Sequence, residues 1–122
     1  MNTVEKGKIA EAMACTFLEE NGLTILDRNY RFLKSEIDIV ALQAEEIVFV
    51  EVRSKTHTLF GYPEATVDKN KQKSIIQAAE AWLYERRMEG ARIRFDVVSV
   101  VTEYNPGQPT QIEHFRNAFW YG

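Results

Sequence analysis

Cysteine is almost absent from this 122-residue chain, and its single thiol, Cys15, rules out an internal disulfide or a Cys-rich metal knot. Cys15 falls in an apolar helical stretch, so a buried, inert thiol in a reducing compartment is expected. Proline is scarce, with three residues, and glycine with six, which excludes collagen-like or Pro/Gly-rich disordered chains. No Gly-rich phosphate loop and no nucleophile elbow occur around Ser35, Ser54 or Ser99, so P-loop, dinucleotide-binding and serine-hydrolase chemistry, and with them a small organic cofactor, are not expected. His57 and His114 are too isolated for a zinc site. Long apolar runs are missing too, both at the charged start Met1-Asn2-Thr3-Val4-Glu5-Lys6-Gly7 and elsewhere, which argues for no membrane and a cytoplasmic location. Basic excess is the last absence: 15 Lys+Arg face 18 Asp+Glu, a net charge of −3, so no overall positive field draws the chain to nucleic acid.

What remains is ordinary globular composition, 45% hydrophobic and 27% charged, at a length that suits one domain spanning residues 1–122. Ile9, Ala10, Met13, Ala14, Phe17 and Leu18 recur at helical spacing, predicting a helix over about 3–21, with Asn2 as N-cap, Glu5 three residues on and Gly22 as its stop. Strand-like runs follow at Leu23–Arg31, Glu36–Leu42 and Ile47–Arg53, separated by polar breaks at Lys34-Ser35 and Ala44-Glu45-Glu46. Thr56–Ala65 predicts a loop. Thr66 is the expected cap of a second helix to about Arg87, with a stripe of Ile75, Ile76, Ala79, Trp82 and Leu83. Arg92–Thr102 alternates as a strand, a turn follows at Asn105–Pro109, and a last short strand is expected around Gln111–Phe115. The order predicts an α/β fold, a mixed sheet with two helices.

The segments Ser35-Glu36-Ile37-Asp38-Ile39-Val40-Ala41 and Ile47 to Lys55 hold the most chemistry. A period of two puts Ile37 and Ile39 on one face, Glu36 and Asp38 on the other, and groups Glu51, Arg53 and Lys55 on the next strand. If these strands are neighbours in register, Asp38 and Glu51 converge. Two carboxylates among Ile, Val and Phe require a cation, either the Arg53 guanidinium or a divalent metal such as Mg²⁺, which takes hard oxygen ligands. Spacing alone leaves both readings open, since cross-strand ion pairs are common. Glu11 lies on the first helix with Gly7, Ala14, Cys15 and Leu18, leaning toward the sheet or simply solvated beside Lys8. Lys71 shares a stripe with Ile75, Ala78 and Trp82. Lys69, Lys71 and Lys73 suit an ordinary solvated first turn, but they oppose the macrodipole of their helix and so ask for a further reason, such as a nearby phosphate. Asp96, among Arg92 and Arg94, suits a structural ion pair or hydrogen bond better than catalysis.

Together, Gly7, Glu11, Ala14, Leu18 and Gly22, then Arg28-Asn29-Tyr30-Arg31, Ser35-Glu36-Ile37-Asp38-Ile39-Val40, Phe49-Val50-Glu51-Val52-Arg53, Lys71 and Arg94-Phe95-Asp96-Val97-Val98 resemble the bacterial YraN-like family. The resemblance runs from about Gly7 to Val100, and through that family the chain is similar to the restriction-endonuclease-like, PD-(D/E)XK superfamily. It implies an αβββαβ core with Asp38 and Glu51 as metal-binding and catalytic acids, Glu11 as a supporting ligand, and Mg²⁺ or Mn²⁺ as cofactor. Arg53 stands where the superfamily usually has Lys, and Ser35 where the family commonly has Gly. A guanidinium stabilises phosphate charge but cannot act as a base, so Lys55 or Lys71 is left to supply an ammonium.

The implied activity is metal-dependent phosphodiester hydrolysis of DNA or RNA, with Arg28, Arg31, Lys34, Lys69 and Lys73 as backbone contacts. Two alternatives stand beside it: a non-catalytic nucleic-acid-binding module that keeps the fold, and a protein-interaction domain or homodimer using Ala118-Phe119-Trp120-Tyr121. Setting Glu11, Asp38 and Glu51 aside as an inward pocket leaves 15 acids facing 15 bases. The acidic balance is then compatible with phosphate binding.

Overall fold

The computed structural model describes residues 2–55, 67–101 and 111–119. The loop expected at Thr56–Ala65, the Thr66 cap, the turn at Asn105–Pro109, His57, Trp120 and Tyr121 lie outside the described residues, as does the side chain of Lys55. Helix α1 spans Thr3–Glu20. The Asn2 side chain accepts from the Glu5 amide at 2.8 Å, the N-cap its spacing predicts, and its Nδ2 donates to the Glu5 carboxylate at 3.3 Å. At the other end Gly22 adopts φ +89°, which lets its amide reach Glu19 O and the Leu23 amide reach Leu18 O. Leu23 and Leu18 then share one buried cluster.

Ala10, Ala14, Cys15 and Leu18 form the buried stripe of α1, whereas Ile9, expected in it, is 37% exposed. Small residues four apart bring the helix axis close to the sheet, and this narrow contact leaves Ile9 on the flank.

Strands β1 (Thr24–Phe32), β2 (Ser35–Gln43) and β3 (Glu46–Lys55) form a meander through two-residue turns whose first residues, Leu33 and Ala44, take positive φ. Helix α2 (Lys69–Glu85) carries the chain to β4 (Arg92–Val101), which lies parallel to β3, the long crossover that parallel pairing needs. Strand β5 (Ile112–Phe119) closes an order of β1-β2-β3-β4-β5. It runs four residues past the expected end because Phe119 is buried and stacks on Phe95 at 4.9 Å. The α/β, αβββαβ core with a mixed sheet and two helices is therefore as expected, and β5 is the last strand expected after it.

Each helix covers one face. Ile75, Ala78, Ala79, Trp82 and Leu83 of α2 pack on Ile47, Phe49, Phe95 and Val97, while the α1 stripe packs on Val48, Val50, Val98 and Val100. Residues 94–101 of β4 are buried on both faces, as a central strand requires. Asp68, not Thr66, caps α2, accepting from the Lys71 amide at 2.9 Å.

One part of the alternation fails. Ile37 packs on the α2 side and Ile39 on the α1 side, so the two do not share a face. Pairing of β2 with β3 stops at Ile39↔Val50. Beyond it, opposite Asn29 at φ +52°, β2 is free of that neighbour and changes face at Asp38.

Candidate metal centre

Continuing the β2/β3 register past Ile39↔Val50 would set Asp38 opposite Glu51 and Ile37 opposite Val52. The backbone ladder ends here, and the Asp38 carboxylate takes the Val52 amide at 2.8 Å in its place. The same turn of the chain sets the Asp38 carboxyl close enough to that of Glu51 for the two acids to raise the cost of charging Asp38. Glu11 of α1 and Glu36 of β2 complete the group: one carboxylate oxygen from each of Glu11, Glu36 and Asp38 lies within 4.8 Å of the others. Asn29 holds Glu11 in place, donating from Nδ2 to Oε1 at 2.7 Å.

Two cations border the acids. Arg31 Nε lies 3.0 Å from Glu36, and Lys71 Nζ lies 3.6 Å from Glu51, whose side chain is 12% exposed. They do not neutralise the centre. Burial foremost, then the hydrogen bond and charge of Glu51, push Asp38 up to about 9, against the opposing pull of the Val52 amide; Glu11 adds to the rise. Without a cation, then, Asp38 keeps its proton at neutral pH and donates it to Glu51. Three carboxylates with clustered hard oxygens, Glu11, Glu36 and Asp38, with Glu51 acting on Asp38 from β3, form a donor set suited to a divalent cation such as Mg²⁺ or Mn²⁺.

Arg53 extends the face that holds Phe49 and Glu51, is half-buried, and pairs through its Cα with Ser99. Lys55 ends β3. Arg28 is exposed on β1, and Lys34 in the β1–β2 turn. Lys69 and Lys73 line an open groove of about 1150 Å³ between α2 and Ala118–Phe119 of β5. Of the five basic residues assigned to the nucleic-acid backbone, Lys69 and Lys73 thus share a groove, and Arg31 pairs with Glu36 of the acid cluster.

Sequence reasoning did not assign Glu36 or Asn29 to the site. Glu36 was findable, since a period of two aligns it with Asp38. Asn29 was not, because its role depends on a left-handed backbone in β1.

Asp96 has the structural place expected of it. It is fully buried and bonded to Arg94 Nε at 3.0 and 3.1 Å, to His114 Nε2 at 2.7 Å and to the Asn117 amide at 3.1 Å. Arg94 in turn reaches Glu46 and Gln43. Cys15 is buried as expected, and desolvation raises its thiol pKa, the opposite of a reactive thiolate. No helix of the described residues is long and apolar enough to cross a membrane.

The model of a family described as uncharacterised protein family UPF0102, the YraN-like group, matches residues 10–100. A UPF0102 protein from Persephonella marina is 42% identical over 114 residues, covering 93% of this chain and 92% of the relative. Another from Desulforapulum autotrophicum is 47% identical over 113 residues, 93% of this chain and 91% of the relative. A third, from Clostridioides difficile, is 40% identical over 119 residues, 98% of this chain and 100% of the relative.

Proposed function

The chain belongs to the uncharacterised protein family UPF0102, and from that premise and its own side-chain geometry we propose that it is a metal-dependent phosphodiester hydrolase acting on DNA or RNA. The observation that carries the reading is the cluster of Glu11, Glu36 and Asp38 oxygens within 4.8 Å of one another, with Glu51 acting on Asp38 from the next strand. A cluster so short of positive charge is costly to the fold and useful to a cation. Asp38, Glu51, Glu11 and Glu36 would hold Mg²⁺ or Mn²⁺, which supplies charge against the phosphate and acidifies a water.

The chain's own groups do the rest. Lys71, half-exposed beside Glu51, places an ammonium at the edge of the site and can meet a non-bridging phosphate oxygen. Arg53, on the same face as Glu51, adds a fork of donors for the same oxygens but stays protonated and cannot accept a proton. Lys69 and Lys73 offer backbone contacts along the groove beside α2. A single buried thiol fits the bacterial cytoplasm.

A non-cleaving nucleic-acid-binding module is the second reading, favoured by Arg53 in place of an amine. The interaction reading loses part of its motive, since Phe119 is buried beneath the α2 side of the sheet rather than displayed.

The test is cleavage of single-stranded, duplex and branched DNA and RNA, with and without Mg²⁺ or Mn²⁺, by wild type, Asp38→Ala and Glu51→Ala. Metal-dependent cleavage that falls at least about 100-fold in both variants is expected. Equal activity in all three would sink the site. Salt-sensitive binding without cleavage and without need of metal would favour the module.

A further inference from the structure

Ser99 lies within β4 and is fully buried, yet its Oγ has no hydrogen-bond partner among the described residues. The other buried polar side chains are satisfied: Ser35 meets Ser74 at 2.7 Å, and Arg94 and Asp96 bond one another. A stranded buried hydroxyl opposes folding, so an alanine would suit folding better.

Its location suggests why a hydroxyl stands there. Phe95 and Val97 face α2, and Ser99 continues that face; Phe49 and Glu51 do the same for Arg53 on β3. Arg53 and Ser99 are Cα partners on parallel strands about 4.8 Å apart. They sit one step beyond Glu51, toward the carboxyl ends of β3 and β4, where open α/β sheets place their ligands. Glu113 of β5 flanks Ser99 on its other side and is exposed. The Arg53 guanidinium forms no hydrogen bond or ion pair among the described residues. Among the described residues, donors and a buried acceptor without partners therefore occupy paired positions on neighbouring strands, one step beyond Glu51.

We propose that Ser99 is a positioning residue for Arg53 in an oxyanion subsite. When a phosphate group enters beside Glu51, the guanidinium turns inward, keeps one edge on the phosphate oxygens and gives an N–H from another edge to Ser99 Oγ. The fixed five-donor fork of arginine permits both bonds at once, which a lysine ammonium in that place would not do with the same geometry. The inference rests on the proposed hydrolase reading only in taking the ligand as a phosphate group.

The experiment titrates inorganic phosphate into the Mg²⁺-loaded protein and follows the Arg53 Nε–H signal in ¹⁵N–¹H spectra. Wild type, Ser99→Ala, Arg53→Gln and the double variant are compared, with thermal unfolding of each. Phosphate is expected to shift the Arg53 signal in wild type, and Ser99→Ala to weaken phosphate binding about tenfold without lowering the unfolding temperature. In the Arg53→Gln background the same serine change should have no effect, because it acts through the guanidinium. Phosphate binding equal to wild type in Ser99→Ala would overturn the proposal, as would an equal loss in both backgrounds. A drop in unfolding temperature on removing the hydroxyl would also overturn it, since a structural bond would then be its role. Cleavage that fails while the coupled phosphate response persists would count against hydrolysis and leave this subsite standing.

Discussion

Asp38 and Asp96 are both carboxylates set into one sheet, and the chain treats them in opposite ways. Burial works to raise Asp96, but hydrogen bonds from His114, Arg94 and the Asn117 amide outweigh it and hold its carboxyl below the usual range. Asp38 has one amide, a neighbouring glutamate and burial, and is pushed up to about 9. Removing the satisfied acid breaks a buried network, so Asp96→Ala should cost about 3–5 kcal/mol in chemical denaturation. Asp38→Asn should do the reverse in metal-free protein. Its amide can donate to Glu51 as the acid proton does and still accept from Val52, with a gain of about 1–2 kcal/mol at pH 7. The sign follows from linkage. A folded-state pKa near 9 against an ordinary unfolded value means the folded form binds the extra proton. Metal-free stability should therefore fall as pH rises from about 4 toward 9, and Asp38→Asn should flatten that slope.

At the scale of elements, α2 is fixed at both ends, and its first turn bears on the site. Asp68 caps the turn that presents Lys71 to Glu51. The far end is held by Trp82 and Arg86 on Asp27, at 3.2 Å each, and by Tyr30 on Glu85 at 2.8 Å. Asp68→Ala should lower stability by about 1 kcal/mol in urea unfolding. It should also reduce any cleavage more than this loss of folded population explains, because the Lys71 turn frays first. Much of this was legible in the sequence. Asn2, Glu5 and Gly22 mark the ends of α1, and the apolar periods mark both helices and all five strands. That β2 and β3 are antiparallel neighbours, with Asp38 and Glu51 just past their last pair, was legible too. What was not legible depends on backbone features without a local signature. Nothing in Ser35 to Val40 announces that β2 changes face at Asp38, since that follows from where β3 stops pairing. Asn29 reaches Glu11 from a left-handed backbone, whereas the Asp68 cap was open to sequence reasoning, since Asp is as good an N-cap as any residue.

For the molecule as a whole, the net charge of −3 is unevenly placed. Glu11, Glu36 and Asp38 from α1 and β2 cluster at one place with Glu51 of β3 acting on Asp38, and among the described residues Arg31 and Lys71 pair with Glu36 and Glu51. A cation that binds the folded chain and not the unfolded one stabilises it by about 2.7 kcal/mol at 100 times its Kd. Mg²⁺ or Mn²⁺ should therefore raise the unfolding temperature where equal ionic strength from a monovalent salt does not. The measurement that bears most directly on the central claim is a calorimetric titration of Mn²⁺ into wild type, Asp38→Asn and Glu51→Gln. One saturable site is expected in wild type, at least about tenfold weaker in each variant. Indistinguishable titrations in all three proteins, or no saturable binding in wild type, would contradict the account.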